Sequence, residues 1–177
     1  QINSFLKQTQ LPDEVVFSDD NSTDNTIEIL NSFRDLAPFE VKIIKNASNI
    51  GILNNFYSAF DACSGEVIFY CDQDDVWECD KISRVYSGFD ENVKLVVHAS
   101  VIADSALKPL GRIEPKIQRD GLLRVPVDAT SLYHFGHQMA FRREVVEVMV
   151  ALKSKMNSES LLRIAVNFDR YIPFCAS

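Results

Sequence analysis

Apolar residues along the first hundred positions follow two alternating periods. Short runs rich in β-branched and aromatic residues read as strands: Glu14 to Ser18 (EVVFS), Val41 to Lys45 (VKIIK), Glu66 to Cys71 (EVIFYC) and Lys94 to Ala103 (KLVVHASVIA). Between them, apolar positions recur at helical spacing. One set is Ile29, Phe33 and Leu36, a second Ile52, Phe56, Ala59, Phe60 and Cys63, a third Ile82, Val85, Tyr86 and Phe89. Ser22, Thr23 and Asp24 suit the start of the first helix, and Pro38 breaks it. Gly65 reads as the C-terminal cap of the second helix, and Asp80 as the cap that opens the third. Ile2, Phe5 and Leu6 read as the last turns of a further amphipathic helix, closed by Leu11-Pro12. Strands alternating with helices in this way predict an α/β domain with a mostly parallel sheet flanked by helices.

The second part of the chain is less regular. Residues 104–135 carry Pro109, Gly111, Pro115, Gly121 and Pro126, and read as a loop or hairpin excursion. A short segment, Gln138 to Phe141, precedes a helix with Val145, Met149, Leu152 and Met156 on one face. The last stretch, Leu161 to Phe174, holds Asp169. The opening at Gln1, inside a helical pattern, reads as a single domain over 1–177 that lacks an N-terminal strand and a C-terminal tail.

Composition narrows the class. The 177 residues are 46% hydrophobic and 24% charged, those of an ordinary globular domain. A net charge of −7, with no basic stripe, argues against nucleic acid as a partner. Cys63, Cys71, Cys79 and Cys175 lack zinc-type spacing and read as reduced thiols. No apolar run is long enough to span a bilayer.

Candidate chemistry collects where the strands end. Asp19-Asp20 follow the first strand, Asn49 and Gly51 the second, and Asp72, Asp74 and Asp75 the third. Ligands of open parallel sheets bind beyond the carboxyl ends of the strands. Three carboxylates within four residues repel one another unless a cation sits among them. Mg²⁺ and Mn²⁺, which favour oxygen ligands, are the natural choice. An EF-hand loop counted from Asp72 fails, since Trp77 falls where glycine is needed and Ser83 where glutamate is needed. Neither a Gly-x-Gly-x-x-Gly turn nor a Walker A sequence is present.

Three segments in order carry a resemblance: Asp19-Asp20-Asn21-Ser22-Thr23-Asp24-Asn25-Thr26, then Asn49-Ile50-Gly51 with Asn55, then Asp72-Gln73-Asp74-Asp75-Val76-Trp77. Together they resemble family 2 glycosyltransferases of the GT-A fold. The CDQDDVW form resembles the bacterial rhamnosyltransferase-like branch. The resemblance implies a three-layer, Rossmann-like α/β/α domain, with residues 1–103 binding a nucleotide-sugar and 104–177 on the acceptor side. It implies an inverting transfer from a UDP- or dTDP-sugar, dTDP-rhamnose included, to a saccharide or lipid-linked acceptor in bacterial surface polysaccharide synthesis. It places the enzyme in the cytoplasm at the inner face of the membrane, with peripheral contact through segments outside this sequence.

Site roles follow from the same resemblance. Asp20 faces the pyrimidine base, and Asn49 and Gly51 let the backbone pass close to the nucleotide. Asn55 lies one turn into the helix, with a capping or surface role as the equal reading. Asp72 lies near the ribose and joins Asp74 in binding Mn²⁺ or Mg²⁺, and Asp75 supports the metal or the sugar. Gly136-His137-Gln138-Met139-Ala140-Phe141-Arg142 resembles the segment that precedes the catalytic base, for which Asp169 is the candidate. Phe168 and Arg170 stand where the rhamnosyltransferase-like branch usually has His and Trp. Trp77 fits a place over the site or in the core. His98, His134 and His137 read as structural, and only His137 lies in a family-like segment. Two other classes remain open. A non-catalytic nucleotide-sugar-binding relative would keep Asp20, Asp72 and Asp74 without a working base. A metal-dependent phosphoryl-transfer enzyme would want a nucleophilic Asp and a Lys at neighbouring strand ends.

Overall fold

The structure, a computed structural model, describes residues 1–114 and 136–153, with side chains to residue 148. The elements in order are α1 (Ile2–Phe5), β1 (Glu14–Asp19), α2 (Thr26–Leu36), β2 (Glu40–Lys45), α3 (Ile52–Ala62) and β3 (Val67–Phe69). They continue with α4 (Lys81–Tyr86), β4 (Leu95–Val97), β5 (Ser100–Ala103), β6 (Pro109–Glu114), a 3-10 turn at Gly136–Gln138, β7 (Met139–Arg142) and α5 (Arg143–Lys153). Asp169, His134, Met156 and the stretch Leu161 to Phe174 lie outside the described residues, as do the side chains of Met149 and Leu152.

Among the described residues the strands form three separately hydrogen-bonded sheets. β1 and β2, joined by the crossover helix α2, pair in parallel from Glu14 opposite Glu40 to Asp19 opposite Lys45. β7 inserts antiparallel between β3 and β4, with Ile68 opposite Phe141 and Val96 opposite Ala140. β5 and β6 form a separate antiparallel hairpin. Parallel pairing among the described residues is therefore that of β1 and β2, and β7 runs against both its neighbours.

Two apolar clusters lie on opposite faces of these strands, because successive side chains of a strand alternate in direction. On one face α3 and α5 cover Ile68, Tyr70, Met139 and Phe141 with Leu53, Tyr57, Phe60, Val145 and Val146. On the other, Phe5, Phe33, Trp77 and Ile82 pack over Val15, Phe17, Val41, Ile43 and Phe69. Helices on both sides of the strands give the three-layer α/β/α order. Phe141 is fully buried and meets Phe60 edge-on at 5.6 Å. Phe5 meets Trp77 edge-on at 5.0 Å.

Three sequence expectations shift in register. The run from Lys94 to Ala103 is two strands: His98 donates its amide to Gln138 O, and from Ser100 the chain pairs with β6 instead of β7. Ile29 and Ile52 lie at the surface, at 46% and 65% exposure, and the adjacent Leu30 and Leu53 are buried in their place. Helix α3 stops at Ala62, with Cys63 already extended, so Gly65 does not cap it. Instead the Gly65 amide donates to Glu14 Oε1 at 2.8 Å.

Candidate functional site

The first turn of α3 aligns the ends of two strands. Asn55 Nδ2 donates to Ser18 O at 2.8 Å, and Asn55 Oδ1 accepts from Ser18 Oγ at 2.6 Å, near the carboxyl end of β1. The next residue, Phe56, stacks on Tyr70 with ring centroids 4.5 Å apart, just past the end of β3. Adjacent residues of one helix thus touch the carboxyl ends of β1 and β3, which open on a common edge. The amino ends are tied at the far side, where Glu14 at the start of β1 accepts from Lys42 Nζ and from the Ser64 and Gly65 amides. Burial raises the Glu14 carboxyl, but these donors outweigh it and bring the pKa down to about 2.

At the end of β1, Asp20 organises the turn that leads into α3. Its Oδ1 accepts from the Ile50 amide at 2.7 Å and from Asn46 Nδ2 at 3.2 Å, and its Oδ2 from the Gly51 amide at 2.9 Å. A carboxylate offers about four acceptor directions, so one on Oδ2 stays open to a ligand. Asn49 Oδ1 also accepts from the Gly51 amide, at 3.1 Å. Gly51 has φ +83° and ψ 154°, a backbone region that essentially only glycine occupies. Asp19, by contrast, is buried and accepts the Ser22 amide at 3.0 Å. Asp24 accepts from the backbone amide and hydroxyl of Thr26, so its contacts stay within the turn that opens α2.

Beyond β3 the chain gathers a second group. Asp72 Oδ2 and Asp75 Oδ2 lie 3.2 and 3.3 Å from Nδ1 of His137, which the 3-10 turn before β7 brings from 65 positions past Asp72. One ligand atom from each of Asp72, Asp75 and His137 falls within 4.8 Å of the others. That span is about twice a metal–oxygen or metal–nitrogen distance of roughly 2.1–2.4 Å, so a divalent cation fits among them. Asp75 Oδ2 is shielded from solvent yet accepts no hydrogen bond. Burial, reinforced by Asp72 and Asp74, raises the Asp75 carboxyl against the opposing pull of His137 and Lys81. Those are the conditions that a bound cation relieves.

Lys81 and Trp77 form the floor behind this group. Lys81 Nζ donates to His137 O at 2.9 Å and sits 4.2 Å from the centre of the Trp77 ring. Burial lowers its pKa to about 8. Trp77 is buried against Phe5 and Phe69, so the core reading of this residue is the observed one.

The structure therefore brings together Asp20, Asn49, Gly51 and Asn55 at one strand end, and Asp72 and Asp75 at the next. Asp74 is exposed and stands apart from the Asp72–Asp75–His137 group. His137, Ser100 and Lys81 escaped selection as site residues from the sequence. The signal available for His137 was its place directly after Gly136. That glycine is required because a Cβ there would lie 2.4 Å from a ring carbon of Tyr70.

Such a fold and edge define an α/β protein whose strand ends offer an amide-lined acidic turn beside a cation-sized cluster. Comparison with known proteins narrows that class: the profile of "Glycosyl transferase family 2" matches residues 1–149, and the chain belongs to this family of glycosyltransferases. An uncharacterized glycosyltransferase of Nostoc sp. is 35% identical over 152 residues, covering 82% of this chain and 47% of its own length. The dTDP-rhamnosyl transferase RfbG of Shigella flexneri is 34% identical over 88 residues, covering 48% of this chain and 30% of its own length. The solved structure of TarS from S. aureus, in complex with UDP, superposes with a TM-score of 0.58 at 18% identity over 82% of this chain and 43% of that one. That likeness shows the GT-A fold. The chain thus spans less than half the length of each of these relatives. Among the described residues no helix is long and apolar enough to cross a membrane.

Proposed function

We propose that the chain is the donor-binding and catalytic core of an inverting, metal-dependent glycosyltransferase of bacterial surface polysaccharide synthesis. The observation that carries the reading is the common edge: the Asp20–Gly51 turn and the Asp72–Asp75–His137 group sit at strand ends aligned by adjacent residues of α3. Asp20 takes a hydrogen bond from the base of a UDP- or dTDP-sugar, using the open direction on Oδ2. Asn49 and Gly51 shape the turn against the nucleotide, and Asn55 holds that turn to β1. Asp72 and Asp75 would hold Mn²⁺ or Mg²⁺ at this edge, and Asp74, exposed beside them in the chain, would join only by turning toward the bound ion. The chemistry a cation bound there would supply is neutralisation of the charge that builds on the departing nucleoside diphosphate.

Transfer joins the acceptor hydroxyl oxygen to the anomeric carbon as the bond from that carbon to the diphosphate breaks, inverting the centre. Asp169 takes the hydroxyl proton in this scheme. The acceptor is a saccharide or lipid-linked saccharide presented at the cytoplasmic face of the membrane. The RfbG relative supports dTDP-rhamnose as the donor to test first.

The test is binding of UDP-, dTDP- and GDP-sugars by the intact protein, with Mn²⁺, with Mg²⁺ and with chelator. Metal-dependent binding of one donor class is the expected result. Failure of every donor to bind with metal present removes the proposal. Asp169→Asn is expected to abolish turnover while leaving donor binding in place. Unchanged turnover would move the base elsewhere.

A further inference from the structure

We propose that His137 is a nitrogen ligand of the cation held at Asp72 and Asp75, that Ser100 fixes its ring, and that the site therefore prefers Mn²⁺ over Mg²⁺. This deepens the metal-dependent reading above and rests on it for the presence of a cation.

The argument starts from how many atoms need one partner. His137 Nδ1 faces Asp72 Oδ2 at 3.2 Å and Asp75 Oδ2 at 3.3 Å. A single proton on Nδ1 serves Asp72, and Asp75 Oδ2 then stays buried without a hydrogen bond. A cation serves all three atoms at once. It needs the Nδ1 lone pair, so the ring proton must sit on Nε2.

The surroundings provide for that tautomer. Nε2 of His137 lies 3.0 Å from Ser100 Oγ at the start of β5. Ser100 Oγ also receives the side-chain amide of Gln138 at 3.2 Å, and that fully buried amide donates again to Glu114 O at 2.7 Å. A hydroxyl oxygen has two acceptor directions, one for Gln138 and one for His137 Nε2–H. Lys81 meanwhile anchors the His137 carbonyl from below. Ligating histidines are characteristically held in this way, by a partner on the second ring nitrogen.

Donor chemistry then sets the preference. Mg²⁺ favours an all-oxygen shell and is reluctant to exchange water for imidazole, whereas transition-metal ions accept nitrogen more readily. Two carboxylates and one imidazole accordingly favour Mn²⁺.

The experiment is pulsed electron paramagnetic resonance on the intact protein loaded with Mn²⁺, with and without UDP. Nitrogen-14 modulation of the Mn²⁺ echo is expected in the unaltered protein, and its loss in His137→Gln. Because the signal is read on the unaltered protein, it remains decisive even where the variant folds poorly. Mn²⁺ affinity is expected to fall roughly 10–100-fold in His137→Gln and about tenfold in Ser100→Ala. Mg²⁺ affinity is expected to change by no more than about threefold, since water can replace the imidazole in its shell. Bound Mn²⁺ without nitrogen modulation, or with affinity unchanged in His137→Gln, overturns the inference and leaves the proposed function standing. No Mn²⁺ uptake even with a nucleotide-sugar present overturns both.

Discussion

Asp20 Oδ2 accepts the backbone hydrogen of Gly51 at 2.9 Å across 31 positions of sequence, so one carboxylate joins the end of β1 to the start of α3. The side chain thereby stabilises the turn that it would also present to a ligand. Replacement Asp20→Ala leaves the Gly51 amide with Asn49 Oδ1 alone and the exposed Ile50 amide to water, and is expected to cost about 0.5–1.5 kcal/mol of stability. Urea unfolding of the variant checks this. A nucleotide-sugar present at saturation is expected to stabilise the unaltered protein more than the variant.

Gly51→Ala separates backbone strain from steric crowding, because a Cβ at Gly51 would meet nothing within 4 Å. The cost then comes from φ +83° alone, about 1–3 kcal/mol. An unfolding midpoint equal to that of the unaltered protein would show that the turn relaxes without penalty.

Gly136→Ala is a clash of the opposite kind. The added methyl would lie 2.4 Å from Tyr70, whose buried ring is already stacked on Phe56. A loss of about 1–3 kcal/mol is expected. Tyr70→Leu in the same chain is expected to recover part of it. A double-mutant cycle measured by denaturant unfolding reads the coupling.

Glu14 gives the fold a pH dependence with a definite sign. Its carboxyl titrates near 4.5 when unfolded and at about 2 when folded, so its contribution is complete above pH 4.5 and is lost as pH falls from 4.5 toward 2. Glu14→Gln is expected to cost about 1–2 kcal/mol at neutral pH, solvent screening taking part of the gross effect. The stability curves of the two proteins should converge as pH approaches 2. Parallel curves across that window would assign the acid sensitivity elsewhere.

Phe141→Ala removes a fully buried ring at the centre of β7 and is expected to cost about 3–5 kcal/mol. Leu36→Ala, at a residue 74% exposed, is expected to stay within about 0.5 kcal/mol. Thermal unfolding of the pair tests whether the cluster above β3 and β7 is the principal core.

The strand ends and their acidic residues were readable from local pattern, since EVVFS and EVIFYC are apolar runs that stop at aspartates. Phe33 and Phe60 were placed correctly on the inner faces of α2 and α3, but the first inward position of each was misplaced by one residue where two apolar residues adjoin, at Ile29-Leu30 and Ile52-Leu53, and Leu36 lies at the surface. Periodicity is equally well served by either member of such a pair, and only packing against the sheet decides. The break at His98-Ala99 had no local sign, because it arises from an exchange of partners between β7 and β6. His137 was obscure for a related reason. Its meeting with Asp72 depends on β7 entering the sheet between β3 and β4, a pairing that spacing along the chain does not encode.

The adjacent contacts of Asn55 and Phe56 make the first turn of α3 a gauge block between the two halves of the edge. The rise from one residue to the next in a helix is fixed at about 1.5 Å, so the turn at β1 and the cluster at β3 keep a set separation whatever happens at loop tips. Lengthening the connection after Ala62 leaves that separation intact. Inserting one residue between Asn55 and Phe56 rotates the two contacts apart by about 100° and detunes both halves together.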